Sequence, residues 1–313
     1  MRYLIRTALF TLLFNIAPAT SYAQSFQGNG RIYLSTDRGE NWQRADYGFP
    51  QEATVNDFGY TDGLYFAGTE ADGIYISSDY LRSWHKSNMG LPSGVKVDAV
   101  ETFGNIVILG TNRHGIFISW DEGKNWHVAN EGLTNLTVRC LHLFDPKLFA
   151  GTNDGIFVSS DTGKTWVQVY SENQINGITS MDNKVYAGYN HGAIVSDDGG
   201  ETWKSIIEQS SFHNISNDGM HIFGMLYDPA VLKTEGEGKD WIKSDLGLPN
   251  LYTFQIMNIG YRLLAAQWDG IYKSDNNGES WVKSSFGLPV DQPFKELLII
   301  NSTIIAGAGM IRK

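Results

Sequence analysis

Several features on which other folds depend are scarce in this sequence. Cys140 is the only cysteine among 313 residues, which excludes an internal disulfide framework and a CxxC-type zinc or redox site. There are 8 prolines against 34 glycines, a balance that excludes proline-rich linkers and favours short hairpins with tight turns. Charged residues make up 19%, and the formal net charge of −10 disfavours nucleic acid and anionic membranes as partners.

Long apolar runs are confined to the N-terminus. Arg2 and Arg6 precede an apolar stretch at residues 7–17, and small residues then lead to Ala23. This pattern predicts a secretory signal peptide over residues 1–23, with cleavage after Ala23 and export to the periplasm or the extracellular space. Residues 24–313 are predicted to form a single domain without stable membrane insertion, because no later segment reaches 18 consecutive apolar residues.

Seven tryptophans recur at intervals of 37 to 42 residues: Trp42, Trp84, Trp126, Trp166, Trp203, Trp241 and Trp281. Four of them end a complete Ser-x-Asp-x-Gly-x-x-Trp signature. Three copies have changed: Leu81 replaces the glycine of the second, Thr234 and Gly236 replace the serine and aspartate of the sixth, and Asn276 replaces the aspartate of the seventh. A signature repeated in register indicates a repeat architecture of about seven units.

The flanks of each signature predict strands. An apolar run, a small-residue turn and a second run precede it, as in residues 148–159, and a Gly-Leu-Pro break follows at 90–92, 247–249 and 287–289. Each unit therefore predicts four short antiparallel strands, without helical periodicity. One such sheet cannot bury both of its faces, whereas seven arranged around an axis can, so the chain is predicted to be an all-β, seven-bladed β-propeller.

The ends of the chain predict how the ring closes. Residues 31–34 and 41–44 provide only the third and fourth strands of the first unit. Residues 294–300 and 303–306, at the other end, are predicted to provide its first two strands. The last blade is therefore predicted to be shared between the N- and C-termini.

The signature residues are predicted to be structural. The aspartate accepts backbone hydrogen bonds across a turn, the glycine supplies a positive φ, and the tryptophan fills space beside the hairpin. No calcium loop of the Asp-x-Asp-x-Asp-Gly type is present, and neither a catalytic residue, a metal nor a cofactor is predicted. The predicted structural set is Ser35, Asp37, Gly39, Trp42, Asp79, Trp84, Ser119, Asp121, Gly123, Trp126, Ser159, Asp161, Gly163, Trp166, Ser196, Asp198, Gly200, Trp203, Trp241 and Trp281.

The signature resembles the Asp-box, or BNR, repeat of β-propellers, which occurs in sialidases, xyloglucan-degrading glycosidases, sortilin-type receptors and the photosystem II assembly and stability factor-like propellers. With seven units and an export signal, the chain is most similar to the last group, and this resemblance implies a non-enzymatic assembly or interaction scaffold. A sialidase-like site would need an arginine triad and an Arg-Ile-Pro motif, whereas residues 31–33 read Arg-Ile-Tyr and run directly into the first signature.

The turns between the second and third strands vary most among the units, and function is expected there. The candidate binding residues are Arg113, His114, Asp154, His191, Tyr227, Asp228, Trp268 and Asp269. Trp268 is the most informative, either as an exposed aromatic anchor or as a side chain packed on a neighbouring loop. His114, His191 and His213 are interpreted as solvated turn residues.

These features predict a monomer that binds a protein or a glycan. The alternative is a glycan-active protein, either a lectin-like binder or a sialidase-like hydrolase. The hydrolase would require paired carboxylates about 5–9.5 Å apart at the central funnel.

Overall fold

The computed structural model describes residues 31–309 except 145, 236 and 237. The predicted signal peptide lies outside the described residues. Within them, 28 strands form seven four-stranded antiparallel sheets. No helix in this part of the chain is long and apolar enough to cross a membrane. We number the blades by the order of their signature tryptophans.

Blade 1 contains β27 (Phe294–Ile300), β28 (Thr303–Ala308), β1 (Ile32–Ser35) and β2 (Gln43–Arg44). Blade 2 contains β3 (Val55–Thr61), β4 (Leu64–Thr69), β5 (Ile74–Ser77) and β6 (His85–Lys86). Blade 3 contains β7 (Val97–Phe103), β8 (Ile106–Thr111), β9 (Gly115–Ser119) and β10 (His127–Val128). Blade 4 contains β11 (Val138–Phe144), β12 (Lys147–Thr152), β13 (Gly155–Ser159) and β14 (Val167–Tyr170). Blade 5 contains β15 (Ile175–Met181), β16 (Lys184–Tyr189), β17 (Gly192–Ser196) and β18 (Lys204–Glu208). Blade 6 contains β19 (Phe212–Asn217), β20 (His221–Leu226), β21 (Val231–Glu235) and β22 (Ile242–Lys243). Blade 7 contains β23 (Thr253–Ile259), β24 (Arg262–Gln267), β25 (Gly270–Ser274) and β26 (Val282–Lys283).

The predicted seven-bladed, all-β architecture is confirmed, including its closure. The strand order of blade 1 is β2-β1-β28-β27, so both termini contribute to one sheet. Ile32 lies opposite Gly307 and Ser35 opposite Ile304. The hydrogen-bonded ladder between β1 and β28 therefore joins the two ends of the chain, as the partial first unit predicted.

The core lies between neighbouring blades. The second strand of each blade is almost wholly buried, because the adjacent blades cover both of its faces. One cluster, for example, joins Ile32 and Ile305 of blade 1 to Phe58, Ala67 and Trp84 of blade 2. Burial on both faces accounts for the continuous apolar runs in these strands.

The signature tryptophans also join neighbouring blades. Trp84 Nε1 donates a hydrogen bond to the carbonyl of Ala45 (2.8 Å), which lies three residues after Trp42. The same contact recurs for Trp42, Trp126, Trp166 and Trp281, each 2 to 4% exposed, with carbonyl acceptors at Ser284, Ser87, Ala129 and Ser244. The indole N–H of Trp203 has no hydrogen-bond partner among the described residues, and Trp241 donates within its own loop, to Gly238. The contact is therefore lost at blade 5 and replaced by a local one at blade 6.

The glycine six residues after a tryptophan explains the Gly-Leu-Pro break. Gly90 has a φ of +95°, and a Cβ added to it would lie 2.1 Å from the carbonyl oxygen of Trp126 in the next blade. Gly48, Gly132, Gly247 and Gly287 have the same positive φ and the same close approach to the following tryptophan. This position thus needs glycine both for its backbone conformation and for blade packing.

Candidate functional site

The signature loops join the third and fourth strands of each blade and lie on one face of the propeller, the box face. In blade 4, the Ser159 hydroxyl donates to Asp161 Oδ1 (2.7 Å) and accepts from the Gly163 N–H (2.8 Å), while Asp161 accepts from the N–H of Thr165 (2.9 Å). In blade 3, hydrogen bonds from the side chain and backbone of Asn125 lower the pKa of Asp121 to about 2. These carboxylates are engaged in holding their turns.

The changed signatures differ in how much of this network they keep. In blade 7, Ser274 donates to Asn276 Oδ1 (2.8 Å) and accepts from the Gly278 N–H (2.9 Å), so asparagine replaces aspartate with little change. In blade 6, Thr234 Oγ1 instead donates to the Lys239 carbonyl. The sixth unit is therefore the one in which the serine–aspartate contact is replaced.

The opposite face, the mouth face, carries the turns between second and third strands and the connections between blades. In all seven blades the first strand has a register shift between its first and third residues. Such β-bulges redirect a side chain and are common beside functional sites. The bulged residues form what we call the bulge ring: Lys295, Asn56, Asp98, Arg139, Asn176, His213 and Phe254.

Contacts to the following blade hold several ring members. Lys295 Nζ donates to Asn56 Oδ1 (2.6 Å), and Asn56 Nδ2 donates to the Val97 carbonyl (3.1 Å). Arg139 Nε donates to Asn176 Oδ1 (2.9 Å), and Asn176 Nδ2 donates to the Phe212 carbonyl (2.6 Å). Lys295, Asn56, Arg139 and Asn176 are therefore held in place by contacts between blades.

Charges within the bulge ring are unevenly compensated. Lys96 lies 3.2 Å from Asp98 and 3.0 Å from Glu70. Burial raises the pKa of Asp98 and lowers that of Lys295. Neither Lys295 nor Arg139 has an ion pair with a described carboxylate. Glu70, Asp98 and Glu296 are nevertheless electrostatic neighbours of Lys295, whereas Arg139 contacts the amide oxygens of Asn176 and Asn153. Arg139 is therefore a cation oriented by neutral groups.

Aromatic side chains occupy the mouth face at blades 6 and 7. His213, Tyr227, Tyr252, Phe254 and Trp268 form a connected set, which we call the aromatic cluster. The ring of Phe254 stacks on Trp268 (centroids 5.7 Å apart) and on Tyr252 (6.2 Å), while His213 lies 5.6 Å from Tyr227 and 5.5 Å from Tyr252. Tyr227 and Trp268 are each 37% exposed. The cluster thus presents two exposed rings, Tyr227 and Trp268, which the half-buried rings of Tyr252 and Phe254 connect.

The eight predicted binding residues all lie in mouth-face turns but not at one point. Tyr227 and Trp268 join the aromatic cluster. Arg113 and His114 share an exposed turn of blade 3, and Asp154 and His191 are exposed in turns of blades 4 and 5. Asp228 is exposed beside Tyr227 in blade 6. Asp269 accepts from the Tyr272 hydroxyl (3.0 Å) and pairs with Lys283 (2.9 Å), so its carboxylate is engaged within its own blade.

The interpretation of His213 as a solvated turn residue is wrong. It lies at the bulge of β19, where Phe254 and two tyrosine rings surround it, and its Nε2 faces the Thr253 carbonyl. Burial lowers the pKa of His213. The register shift of β19 places His213 at a bulge, beside rings of the following blade.

The other members of the bulge ring were not predicted from the sequence. Each member of the bulge ring is the second residue of the first strand of its blade. It follows a buried apolar residue or threonine, and this position recurs in every repeat. Aligning the first strands on that buried residue would have revealed the ring. Its lateral contacts needed the structure.

Carboxylates farther along the first strands bind backbone groups. Asp57 accepts from the N–H groups of Val100 (2.6 Å) and Phe58 (2.7 Å), and Glu101 accepts from the N–H of Leu143 (3.0 Å). Glu296 accepts from the Gln255 side chain, and burial and the Asp57 carboxylate raise its pKa. These acids link the first strands of neighbouring blades.

Comparison with known proteins supports the fold. A family model described as the DUF6242 beta propeller domain matches residues 86–215. No curated protein sequence matches the chain.

Similar solved structures include YCF48 from Cyanidioschyzon merolae, at 13% identity and a TM-score of 0.67, which covers 83% of this chain and 96% of that chain. A structure of YCF48 bound to D1 peptide has 13% identity, a TM-score of 0.68 and coverage of 90% and 98%. The GH74 xyloglucanase from Xanthomonas campestris has 13% identity, a TM-score of 0.67 and coverage of 90% of this chain and 55% of the enzyme. The chain is therefore a seven-bladed β-propeller that shares its fold with YCF48 and with a GH74 xyloglucanase.

Proposed function

We propose that this protein is an exported, monomeric interaction module that holds a partner protein on its mouth face and performs no chemistry of its own. The observation that carries the proposal is the aromatic cluster. Its five rings come from two adjacent blades, and two of them are 37% exposed. Rigid aromatic side chains that remain exposed on a positioned scaffold are typical anchors of protein interfaces.

The fixed surroundings of the aromatic cluster favour a preorganised interface. The backbone N–H of Trp268 donates to the Tyr252 carbonyl (3.1 Å), and that of Tyr227 donates to the Ser211 carbonyl (2.9 Å). Both turns are thereby tied to the connections that enter their blades. Little side-chain or loop entropy is then lost on binding, which raises affinity for a given contact area. The YCF48 structure bound to D1 peptide supports the proposal, since it shows a peptide on a propeller of this fold.

Export remains a proposal based on residues 1–23, whose basic start, apolar centre and Ala23 boundary fit a signal peptide. N-terminal sequencing of the protein purified from its own host tests this part. A new N-terminus at Gln24 is expected, and an intact Met1 in the folded protein would contradict it.

A glycan ligand is a second candidate, because amide side chains lie close to the aromatic rings. Asn176 Nδ2 donates to Asn190 Oδ1 (2.9 Å) as well as to the carbonyl of Phe212, which precedes His213. Aromatic faces with nearby amides suit sugar rings and their hydroxyl groups. A glycan array probed with the wild type and with Trp268→Ala distinguishes this ligand from a protein.

The test uses the folded chain, a display library of random 12-residue peptides and a glycan array. Trp268→Ala is expected to weaken selected peptides at least tenfold, because it removes a partly exposed ring stacked on Phe254. Trp120→Ala is the matched control, since Trp120 is 43% exposed and lies in a box-face loop, where it contacts His127. It is expected to leave peptide affinity unchanged.

The outcomes separate the candidates. Peptides that bind the wild type and Trp120→Ala equally, but not Trp268→Ala, support a protein partner at the mouth face. Equal losses in both tryptophan variants would contradict the face assignment. Binding confined to glycans would replace the protein partner with a sugar, and retained binding by Trp268→Ala would overturn the aromatic anchor.

A further inference from the structure

We infer that the partner segment carries a carboxylate that pairs with Arg139, while an aromatic or large apolar side chain of the same segment packs on the aromatic cluster. This inference rests on the proposed function and specifies its ligand as an extended acidic–aromatic peptide.

The setting of Arg139 is the first step. Its Nε donates to Asn176 Oδ1 (2.9 Å) and its Nη1 lies 3.4 Å from Asn153 Oδ1. Two neutral acceptors thus orient the guanidinium without neutralising it. A guanidinium has five N–H donors, so donors remain for a bidentate contact with a carboxylate.

Five of the seven described arginines have no ion pair, and Arg139 differs from the other four in its place within the bulge ring. Arg38, Arg82 and Arg113 are exposed in loops, and Arg31 donates to backbone carbonyls. The remaining two arginines are neutralised by carboxylates. Arg44 lies 2.5 Å from Asp46, and Arg262 lies 2.6 Å from Asp275 and 2.7 Å from Glu40. The chain has 34 acidic residues against 24 basic ones, yet no described carboxylate lies within 4.0 Å of Arg139. The ring position of this cation is therefore open to an external acid.

The other charges of the bulge ring do not substitute for that acid. Asp98 and Glu70 both contact Lys96, and Lys295 donates to Asn56. These groups lie in blades 1 to 3. Blade 1 adjoins blade 7, so the path from the aromatic cluster to Arg139 that avoids these groups runs through blades 6, 5 and 4. The positive charge of Arg139 is consequently left for a ligand that extends toward blades 6 and 7.

Amide groups connect Arg139 to the aromatic cluster. Gln174 Nε2 donates to Asn176 Oδ1 (2.8 Å), and Asn176 Nδ2 donates to Asn190 Oδ1 (2.9 Å) and to the Phe212 carbonyl (2.6 Å). Residue 213, which follows Phe212, belongs to the aromatic cluster. Asn176 uses both of its donors and both of its acceptor sites in these contacts and in that with Arg139. Gln174 Oε1 and Asn190 Nδ2, which have no hydrogen-bond partner among the described residues, are left for the peptide groups of an extended chain. The arc thus offers, in order, a cation, hydrogen-bonding amides and aromatic rings.

The experiment uses a display library of random 12-residue peptides with free C-termini against the folded chain. Selected peptides are expected to share an aspartate, a glutamate or the terminal carboxylate, with an aromatic or large apolar residue a few positions away. Replacing that carboxylate by an amide in a synthetic peptide is expected to weaken binding about tenfold. Arg139→Gln is expected to cause a similar loss, and the two changes together are expected to cost little more than either alone.

Further variants separate a specific pair from general attraction. Arg139→Lys keeps the charge and is expected to recover part of the affinity, and added salt should weaken the wild type more than Arg139→Gln. Arg82→Gln removes an equal charge from an exposed box-face residue and is expected to have no effect. Melting temperatures establish that Arg139→Gln is folded despite losing its contact with Asn176.

The inference fails separately from the proposed function. Peptides that lose affinity with Trp268→Ala but not with Arg139→Gln would overturn the carboxylate pair and leave the interaction module standing. Additive losses from Arg139→Gln and the peptide amide would also overturn the pair. A library with no peptide that binds above background would overturn both.

Discussion

Two signature tryptophans with opposite hydrogen-bonding environments provide a direct test of how the blades are held together. Trp166 Nε1 donates to the Ala129 carbonyl of the preceding blade (3.0 Å), and the residue is 3% exposed. Trp203 occupies the same repeat position, but its indole N–H has no partner among residues that the structure describes. We expect Trp166→Phe to destabilise the protein more than Trp203→Phe.

The magnitude follows from what each substitution removes. Trp166→Phe loses a net hydrogen bond of about 0.5–1.5 kcal/mol and leaves the Ala129 carbonyl unsatisfied, which brings the cost of that interaction to about 1–3 kcal/mol. Trp203→Phe removes an N–H that is already unsatisfied, so the polar part of its cost is absent or reversed. Trp203 is also less fully buried, and its apolar loss is smaller. We expect the two free energies of unfolding to differ by about 1–3 kcal/mol.

Urea unfolding followed by far-UV circular dichroism measures this difference without depending on the fluorescence of the replaced ring. Equal slopes of free energy against urea concentration in the two variants would show that the same surface is exposed on unfolding. Guanidinium chloride titration and a second optical probe check the two-state assumption, which repeat proteins can violate. Equal losses, or a larger loss for Trp203→Phe, would refute the proposed role of the indole contact between blades.

Three further perturbations test other parts of the ring. Gly132→Ala is expected to lower the free energy of unfolding by about 1–3 kcal/mol more than Gly219→Ala. Both glycines have a φ near +85°, but only at Gly132 would an added Cβ lie against a carbonyl oxygen, at 2.0 Å. Equal Tm losses in the two variants would exclude this steric cause. Burial and Asp57 raise the pKa of Glu296 above its unfolded value, so its native state binds an extra proton and stability falls as the pH rises above about 4.3. Glu296→Gln should therefore be more stable than the wild type at pH 8 and lose that advantage below pH 4, and parallel Tm–pH curves would contradict this. Ending the chain before Phe294 removes β27 and β28 and should abolish cooperative unfolding, whereas an unchanged Tm would show that ring closure is unnecessary.

The mouth face illustrates what local sequence cannot specify. Trp268 was predictable as a binding candidate because it interrupts turns otherwise filled by small polar residues. Tyr227 was predictable because it lies in one of the variable turns between second and third strands. The contribution of His213 was not predictable, since its neighbours Tyr252 and Phe254 are about 40 residues away and meet it only when two blades pack. Likewise, Trp203 has the same complete signature as Trp166, yet the preceding blade offers only Trp166 an acceptor.

The sequence by itself determined the number of blades, the strand order within them and the blade shared by the termini. These properties depend on turn chemistry and strand periodicity, which act over a few residues and recur seven times. Tertiary structure alone decided which side chains converge at the mouth, because the bulges and the packing between blades set the direction of each side chain. Arg139 became an uncompensated cation and His213 a member of the aromatic cluster through contacts between blades, which no single repeat contains.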